Sequence, residues 1–470
     1  MEARQQSRKM PSYRILRPTS WRAFRLGLLV LATFNLLVLP PQANAADPVE
    51  TLTLSRALEI GERSSHVLKA ARADLAAAEA ATREARAVRL PSLTFSEQFS
   101  RSTNPTLVFS NLLGQERFGE SNFDPEMLNN PEALNNFSTR LKLFQPIYAA
   151  GRISAGINSA DLGRDVADSR RERTRQEIAH QIIEAYTAAV VAERQLEVAN
   201  QSKATALANI DLVEDLYEVG LVVESDLLQA RVRQSEIEEM VVRSESATRV
   251  SLAALNLALG VDLDHPWSLE ALQSTDSKTL SKAEIELLVL EALEKRPDLV
   301  ASLAETHKAE EQIELARSGW KPEIGLAGNV ETNGEQLLDF SGNNWSVFVL
   351  LDVNVFDGLA TRQRVARAQQ KSIRSREMAA LLTEQIELEI RQAHSELNAA
   401  VERQRQAIQS TAFAERSLTI VQDRYAEGLA TLVELLEAET SLTRARAREV
   451  AAQRDLIVAT SRLELAVGRL

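Results

Sequence analysis

The stretch of sequence that decides the fold runs from Gly358 to Gly428 and reads GLATRQRVARAQQKSIRSREMAALLTEQIELEIRQAHSELNAAVERQRQAIQSTAFAERSLTIVQDRYAEG. Between these glycines lie 69 residues without glycine or proline, the residues that end helices, and strong helix formers predominate. A second stretch, between Gly163 and Gly220, has 56 residues of the same character. At 1.5 Å of rise per residue, each stretch predicts a helix on the order of 80–100 Å long. An ordinary globular domain cannot bury such a helix, so we expect an elongated unit.

The second half of the chain repeats the first. The sequence YEVGL at 217–221 returns as YAEGL at 425–429, which is an offset of 208. Upstream the offset is 231, as between Pro91 and Pro322. The long common offset predicts two helical hairpins of equal length. The 23-residue difference places an insertion in the first copy, between Pro91 and Ile147.

Each copy contains the same elements in the same order: a short helix, a medium helix that a proline ends, two strands, a long helix, a break at a Gly-Leu pair and a second long helix. Besides the helices of the two glycine-free stretches, we expect helices at 54–61, 65–89, 224–259, 285–294, 297–318 and 432–467. We expect strands at about 92–103, 137–148, 323–331 and 345–356. The predicted organisation is a signal peptide at 1–45, a first repeat at 46–260, an equatorial connector without strands at 261–282 and a second repeat at 283–470.

Apolar and polar residues alternate along the predicted strands, as where Leu93 and Phe95 alternate with Thr94 and Ser96. Each strand therefore has one apolar and one polar face. No segment is available to cover the apolar face with a core, so we expect it to meet lipid while the polar face lines a water-filled lumen. Four strands cannot close a barrel, so their edges must pair with other subunits.

The segments that join the paired strands, at 101–136 and 332–344, are interpreted as polar loops. They are rich in asparagine and glycine. Long polar loops on one side of a barrel are typical of the extracellular side. The 23 additional residues of the first copy belong to the first of these loops.

The N-terminus has the three parts of a secretory signal peptide. Seven basic residues precede the apolar run at 26–39, and the cleavage pattern Ala43-Asn44-Ala45 follows. No later apolar run reaches about 18 residues, so any membrane crossing must be made by strands. Removal of residues 1–45 takes away seven basic residues and one acid and changes the formal net charge from −12 to −18. A strongly acidic exported protein is a poor nucleic-acid binder, so no nucleic acid is expected as a partner.

The composition also argues against a chemical site. The chain has no cysteine, which excludes disulfides and thiolate metal sites. Its five histidines include no two at metal-ligand spacing. We find no nucleophile–base set, metal cluster or phosphate-binding loop. We therefore expect no catalytic residue, no cofactor and no metal.

The order of elements, present twice, resembles the TolC family of outer-membrane efflux and secretion channels. The residues that carry the resemblance are LPSL at 90–93, PIYAAGR at 146–152, VFDG at 355–358 and the tips at 217–221 and 425–429. The resemblance implies a mixed, mainly α fold. In it, a homotrimer closes one transmembrane β-barrel, to which each chain contributes four strands, and the barrel continues into an α-barrel of long helices.

The resemblance also implies a location and partners. The channel is expected in the outer membrane of a Gram-negative bacterium, in contact with outer-membrane lipid, with the helical tube in the periplasm. A periplasmic adaptor protein and an inner-membrane pump are the expected protein partners.

The same resemblance implies functional positions at the ends of the long helices. The candidates for adaptor docking are the two tips, Gly220, Leu221, Gly428 and Leu429. Glu434 and Glu437 lie at i and i+3, on one helix face, at positions where the family places acids that line the pore entrance. Three copies are expected to form two carboxylate rings that favour cations and bind polyvalent cations.

Asp226 falls on a family gate position, and Tyr425 falls on its partner position. The family member used for comparison has an arginine in the second tip, where this chain has Ala430. This difference argues against a salt-bridge lock. The expected gate is a hydrogen bond between Tyr425 and Asp226 that holds the closed state.

Three functions fit these observations. The leading interpretation is the outer-membrane channel of a tripartite efflux system, a passive exit duct for small molecules. The first alternative is the outer-membrane duct of a type I protein secretion system, which uses the same fold. An alternative of another class is an exported coiled-coil scaffold without a pore.

Overall fold

A computed structural model describes residues 50–272, 282–339 and 341–470. The predicted signal peptide at 1–45 and residues 273–281 of the predicted connector lie outside the described residues. The helices are α1 (Leu54–Ser64), α2 (His66–Ala87), α3 (Pro105–Gly114), α4 (Pro125–Asn129), α5 (Arg152–Glu218), α6 (Glu224–Leu259), α7 (Lys282–Lys295), α8 (Pro297–Ser318), α9 (Ala360–Ala426) and α10 (Leu432–Val467). The strands are β1 (Thr51–Leu52), β2 (Ser92–Ser102), β3 (Leu134–Tyr148), β4 (Ser268–Leu269), β5 (Glu323–Gly334) and β6 (Gly342–Asp352).

The internal repeat is confirmed by the long helices. α5 and α9 each have 67 residues, and α6 and α10 each have 36. The first and last residues of α9 and α10 lie 208 positions after those of α5 and α6, which is the predicted offset. α5 starts before the glycine-free stretch and runs through Gly156 and Gly163, because the cost of an interior glycine, about 1 kcal/mol, is small beside the packing along a long helix. Among the described helices, none is long and apolar enough to cross a membrane.

β2, β3, β5 and β6 form an antiparallel sheet in the order β2-β3-β5-β6. Arg140 of β3 pairs in register with Glu331 of β5, and their side chains form an ion pair of 2.9 Å. The last strand ends at Asp352, so the predicted range of 345–356 is wrong by about four residues at its end. The reason is that Asp352 pairs with Glu323. The residue that precedes β5 is Pro322, which has no N–H to continue the ladder.

The connector contains a strand that the sequence analysis did not predict. β4 pairs in parallel with β1, at the beginning of the described chain. The hydroxyl of Tyr186, buried in α5, donates to the carbonyl oxygens of Leu52 at 2.9 Å and Glu270 at 3.1 Å. These bonds tie the two short strands to the first long helix. The expectation of a connector without strands is therefore wrong.

The first loop is also more structured than expected. It contains α3, a short 3-10 helix at Glu120–Phe123 and α4. Asn104 caps α3, because its side-chain oxygen accepts from the backbone N–H groups of Thr106 and Leu107. Pro105 occupies the first turn, where a missing N–H has no cost.

Equivalent positions of the two copies form separate cores. Ile178 and Ile182 of α5 lie in a buried cluster with residues of α1, α2 and α6. Ile386 and Ile390 of α9, at the offset of 208, lie in a second cluster with residues of α7, α8 and α10. A third cluster joins the ends of α5, α6, α9 and α10. Each long helix is thus held by several small cores along its length.

The arginine that precedes α8 links three helices. Arg296 is 3% exposed. Its guanidinium donates to Asp298 at 2.6 and 3.0 Å, to Glu389 of α9 at 2.6 Å and to the carbonyl of Ala466 in α10 at 2.9 Å. All of these partners are partly or fully buried from solvent. Arg173 of α5 also lies 4.0 Å from the carboxylates of Asp298 and Glu389, but Arg296 makes the shorter bonds to both.

We predict that Arg296→Leu lowers the free energy of unfolding by about 3 kcal/mol, because the partly buried carboxylates of Asp298 and Glu389 then keep only the more distant Arg173 as a counter-charge. Thermal melting followed by circular dichroism in detergent measures this change. The matched control is Arg317→Leu, which removes an exposed i, i+3 pair with Glu314 and is expected to change stability by less than about 0.5 kcal/mol. Equal melting shifts for the two variants would contradict the assignment.

Candidate functional site

The two predicted tips have the same geometry. Gly220 and Gly428 adopt left-handed backbone with φ of +74° and +71°. The N–H of Leu221 donates to the carbonyl of Leu216 at 2.9 Å, and the N–H of Leu429 donates to that of Arg424 at 2.8 Å. Both tips are therefore Schellman motifs, in which a left-handed residue, usually glycine, ends the helix and satisfies its last carbonyls.

The tips expose apolar side chains. Leu221 is 73% exposed and Leu429 is 63% exposed. Their neighbours Val219, Val223 and Val433 are exposed as well. Neither glycine has an atom within 4 Å of the position where a side chain would begin. The predicted docking residues therefore form two accessible apolar ends, each held in a fixed turn.

Glu434, one of the two predicted ring acids, caps its own helix. Its Oε2 accepts from the N–H of Thr431 at 2.7 Å and from the Thr431 hydroxyl at 3.1 Å. The Thr431 hydroxyl oxygen in turn accepts from the N–H of Glu434 at 3.3 Å, which completes a capping box. The hydrogen bond from the Thr431 backbone lowers the pKa of Glu434, so the carboxylate remains charged at neutral pH.

The first tip lacks this cap. At the offset of 208, Val223 takes the place of Thr431 and Asp226 takes the place of Glu434. Val223 makes no side-chain hydrogen bond to the start of α6. Asp226 is half-buried, and its carboxylate is close enough to raise the pKa of Tyr425. The duplicated acid therefore acts on a different group in each copy.

The predicted gate residues lie near each other but do not form the expected bond. Tyr425 is 5% exposed, and its hydroxyl has no hydrogen-bond partner among the described residues. Burial raises the pKa of Tyr425, and the negative charge of Asp226 adds to this effect. The structure thus brings the pair together while leaving a buried hydroxyl unsatisfied, which is an energetic cost.

Glu437, the second predicted ring acid, has a solvent-exposed side chain on α10. It lines an open groove of about 820 Å³ between α6 and α10. The groove has apolar walls and three arginines, and its lining includes Leu228, Val232, Val433, Leu436, Arg233, Arg444 and Arg448. Glu434 and Glu437 are therefore both exposed near the tip of one chain. They differ in that the carboxylate of Glu434 caps its own helix.

A third acid near the tip was missed by the sequence analysis. Glu439 is 5% exposed, and its Oε1 has no hydrogen-bond partner in the described structure. Burial raises its pKa to about 7, although Arg233 acts in the opposite direction. The signal was present in the sequence, because Leu432, Leu435 and Leu442 recur at helical spacing and Glu439 falls on the same buried face.

A small cavity adjoins Glu439. Its volume of about 20 Å³ is close to that needed for one water molecule. Its polar lining comes from α5, α6 and α10 and consists of Ser202, Thr205, Arg233, Glu439, Thr443 and Arg446. No group of three or more potential metal ligands occurs among the described residues.

We predict that Glu439 makes the tip less stable as the pH rises. A carboxyl whose pKa is higher in the folded state, here about 7, stabilises the fold below its unfolded pKa and loses that contribution as the pH rises through 7. Glu439→Gln should therefore be more stable than wild type at pH 8, by about 2 kcal/mol, and nearly equal to it at about pH 5. Melting curves at the two pH values measure the difference.

The control for this experiment is Glu437→Gln, two residues away on the exposed face. It removes the same charge from the same helix and is expected to show no comparable pH-dependent increase in stability. If Glu439→Gln were more stable than wild type by the same amount at both pH values, ionisation of the buried carboxyl would not be the cause of the stabilisation.

Comparison with known proteins places these features in a family. The sequence profile of the family described as outer membrane efflux protein matches residues 59–261 and 288–469, one segment for each copy of the repeat. The pyoverdine export outer membrane protein OpmQ of Pseudomonas putida is 24% identical over 88% of this chain and 85% of its own. The outer membrane protein TolC of Vibrio cholerae is 22% identical over 67% of this chain and 73% of its own.

The fold is similar to that of solved outer-membrane channels. The crystal structure of the Campylobacter jejuni CmeC outer membrane channel matches with a TM-score of 0.76 and 18% identity, over 88% of this chain and 85% of that one. The predicted resemblance to the TolC family and the predicted outer-membrane location are confirmed. The chain belongs to the outer membrane efflux protein family.

Proposed function

We propose that three copies of this outer-membrane protein form a passive exit duct for small molecules, which an inner-membrane pump passes on through a periplasmic adaptor. The observation that carries the proposal is the four-stranded sheet. Its edge strands β2 and β6 have no strand partner on their outer sides within the described chain. One of its faces is apolar and exposed.

The apolar face supports contact with lipid. In register across the sheet lie Phe95, Leu141, Val330 and Trp345. All four are exposed, and Trp345 is 78% exposed. An apolar surface of this extent is costly in water and favourable in a bilayer. The opposite face carries Arg140 and Glu331, which suit a water-filled interior.

The free edges support assembly into a trimer. An unpaired edge presents N–H and C=O groups that need partners, and in a membrane every such group must be satisfied. Pairing β6 of one copy with β2 of the next satisfies both edges. Three copies give twelve strands, which exceeds the minimum of about eight for a closed barrel. The long helices that follow the strands continue the wall.

The helix tips support docking of an adaptor. The apolar ends at Leu221 and Leu429 are exposed, and a partner that covered them would remove apolar surface from water. OpmQ, to which the chain is similar, is named for pyoverdine export. This likeness favours a small-molecule cargo. The channel itself needs no bond chemistry, so we assign no catalytic residue.

The acids near the second tip would provide selectivity. In a trimer, Glu434 and Glu437 contribute three carboxylates each at the pore entrance. Glu434 remains charged while it caps its helix. Two rings of like charge attract cations and bind polyvalent cations tightly.

A second candidate function is the duct of a type I protein secretion system, since the same fold is expected to serve it. The two functions predict different losses in a deletion strain. Loss of an efflux duct sensitises cells to small toxic compounds, whereas loss of a secretion duct removes a protein from the culture medium. The third interpretation, a scaffold without a pore, predicts no conductance.

The test is conductance of the purified trimer in a planar lipid bilayer. We expect discrete, cation-selective steps that a trivalent cation blocks from the side of the helix tips. In Glu434→Gln with Glu437→Gln, we expect the block to weaken at least tenfold, because the rings lose their charge while glutamine retains the helix cap. Absence of steps from correctly assembled wild-type trimers would reject the duct.

We further predict that the double variant Asp226→Ala with Tyr425→Phe opens the tip and raises the mean single-channel conductance at least twofold. The hydrogen bond between these side chains is absent within the described residues of one chain, so we assign it to the closed trimer, and the double variant removes it. The control is Tyr217→Phe, at the equivalent tyrosine of the first tip, which is exposed and should leave the conductance unchanged. A double variant that conducts like wild type would exclude this gate.

A further inference from the structure

The segment between β2 and β3, residues 103–133, is fastened to the polar face of the sheet. We call it the inner loop. Its attachment begins at Gln115, which follows α3 and is 1% exposed. The side-chain Nε2 of Gln115 donates to the carbonyl of Asn135 and to Oδ1 of Asn136, both at 2.9 Å. Arg117 donates to Oε1 of Gln115 at 3.1 Å.

The hydrogen bonds continue from the loop along the sheet. Asn136 donates to Oδ1 of Asn333 at 3.0 Å, and Asn333 donates to Glu331 at 3.3 Å. Ser138 donates to Glu331 at 2.9 Å. Glu331 also accepts from Arg140 at 3.0 Å, so these side chains share one face of the sheet. It is the polar face and not the exposed apolar one.

Burial shows which part of this face is covered. Asn136, Ser138 and Asn333 are all buried within a single chain, whereas Lys142, further along the same face of β3, is exposed. Side chains on an open lumen wall would be solvated along the whole strand. The covered part is the end of the strands next to the inner loop.

Two contacts with the second hairpin hold the inner loop in place. A side chain at Gly342, the first residue of β6, would clash with the carbonyl oxygen of Gly114, because the two backbones are in contact. Arg117 forms an ion pair with Glu335, just beyond β5. The inner loop therefore bridges β3, β5 and β6 and does not extend away from the strands.

We propose that the inner loop is a plug at the outer mouth of the duct and limits the size of what leaves it. This inference rests on the proposed function, which makes the polar face the wall of the lumen. Twelve strands spaced by about 4.8 Å and tilted by about 40° close a wall about 24 Å across between backbones. A helix with its side chains is about 10 Å thick. Three inner loops therefore occupy most of the opening.

The plug would select cargo by cross-section. A compound of small cross-section passes between three inner loops, whereas a folded polypeptide does not pass unless the loops detach. Detachment must break the buried hydrogen bonds of Gln115 in each subunit.

The position of the inner loop can be tested with a disulfide, because the chain has no cysteine. A Cβ added at Gly114 would lie 3.6 Å from the Cβ of Asn333, within the range that a disulfide requires. We expect the double variant Gly114→Cys with Asn333→Cys to form an intrachain disulfide in assembled trimers. The control pair, Gly119→Cys with Asn333→Cys, should not, since Gly119 has only Asn122 within 4 Å.

The plug itself is tested by access from outside the cell. Ser102 pairs with Leu134, so a two-residue Asn-Gly turn can replace residues 103–133. The probe position is Lys142→Cys on the polar face. We expect a polyethylene glycol maleimide of about 1 kDa, which is narrower than the empty barrel, added to intact cells to label it at least tenfold faster without the inner loop than with it. A small, membrane-impermeant maleimide should label it in both proteins.

Two controls complete the experiment. Ser121→Cys, exposed on the inner loop, should react with both reagents, and Val347→Cys, on the apolar face, should react with neither. Equal labelling of Lys142→Cys by the large reagent with and without the loop would overturn the plug. If Lys142→Cys reacted with neither reagent in assembled trimers without the loop, the polar face would not line a lumen and the proposed duct would fail instead.

Discussion

The structure depends on lateral packing of helices that are too long for any single core to hold. α5 and α9 have 67 residues each, and their buried side chains are divided among separate clusters. Small residues at the contacts, such as Ala189, Ala393 and Ala400, are completely buried and allow the helices to approach closely. Each helix therefore requires a neighbour along its whole length, and the internal repeat gives the chain a second pair of helices of the same lengths.

The sheet differs from the long helices, because it has an apolar surface and no core that buries this surface. Its hydrogen bonds are complete internally but end at β2 and β6. A bilayer and further copies of the chain satisfy both needs at once, which is why membrane insertion and assembly are coupled in our proposal. The inner loop adds a third element, because it uses polar contacts to cover part of the face that lipid does not reach.

The two tips show how duplicated positions acquired separate roles. The backbone of both turns is the same, since glycine ends each helix in the left-handed conformation. The acids that follow differ in what they contact. Glu434 satisfies the start of its own helix, while Asp226 acts on Tyr425. Glu439 has no acidic counterpart, because the equivalent position is the exposed Arg231. The second tip thus carries a buried ionisable group that the first lacks.

The sequence by itself determined the repeat, the C-terminal ends of the two longest helices and the faces of the strands. These features are local: breakers, helix formers and alternating residues act over a few positions. The tip glycines were predictable for the same reason, whereas Leu221 and Leu429 were singled out only through the family resemblance. Only the tertiary structure decided the surroundings of Arg296, Gln115, Tyr186 and Glu439. The contacts of Arg296 with Ala466 and of Tyr186 with Leu52 join residues 170 and 134 positions apart, and no local pattern specifies which distant group will satisfy a buried polar atom.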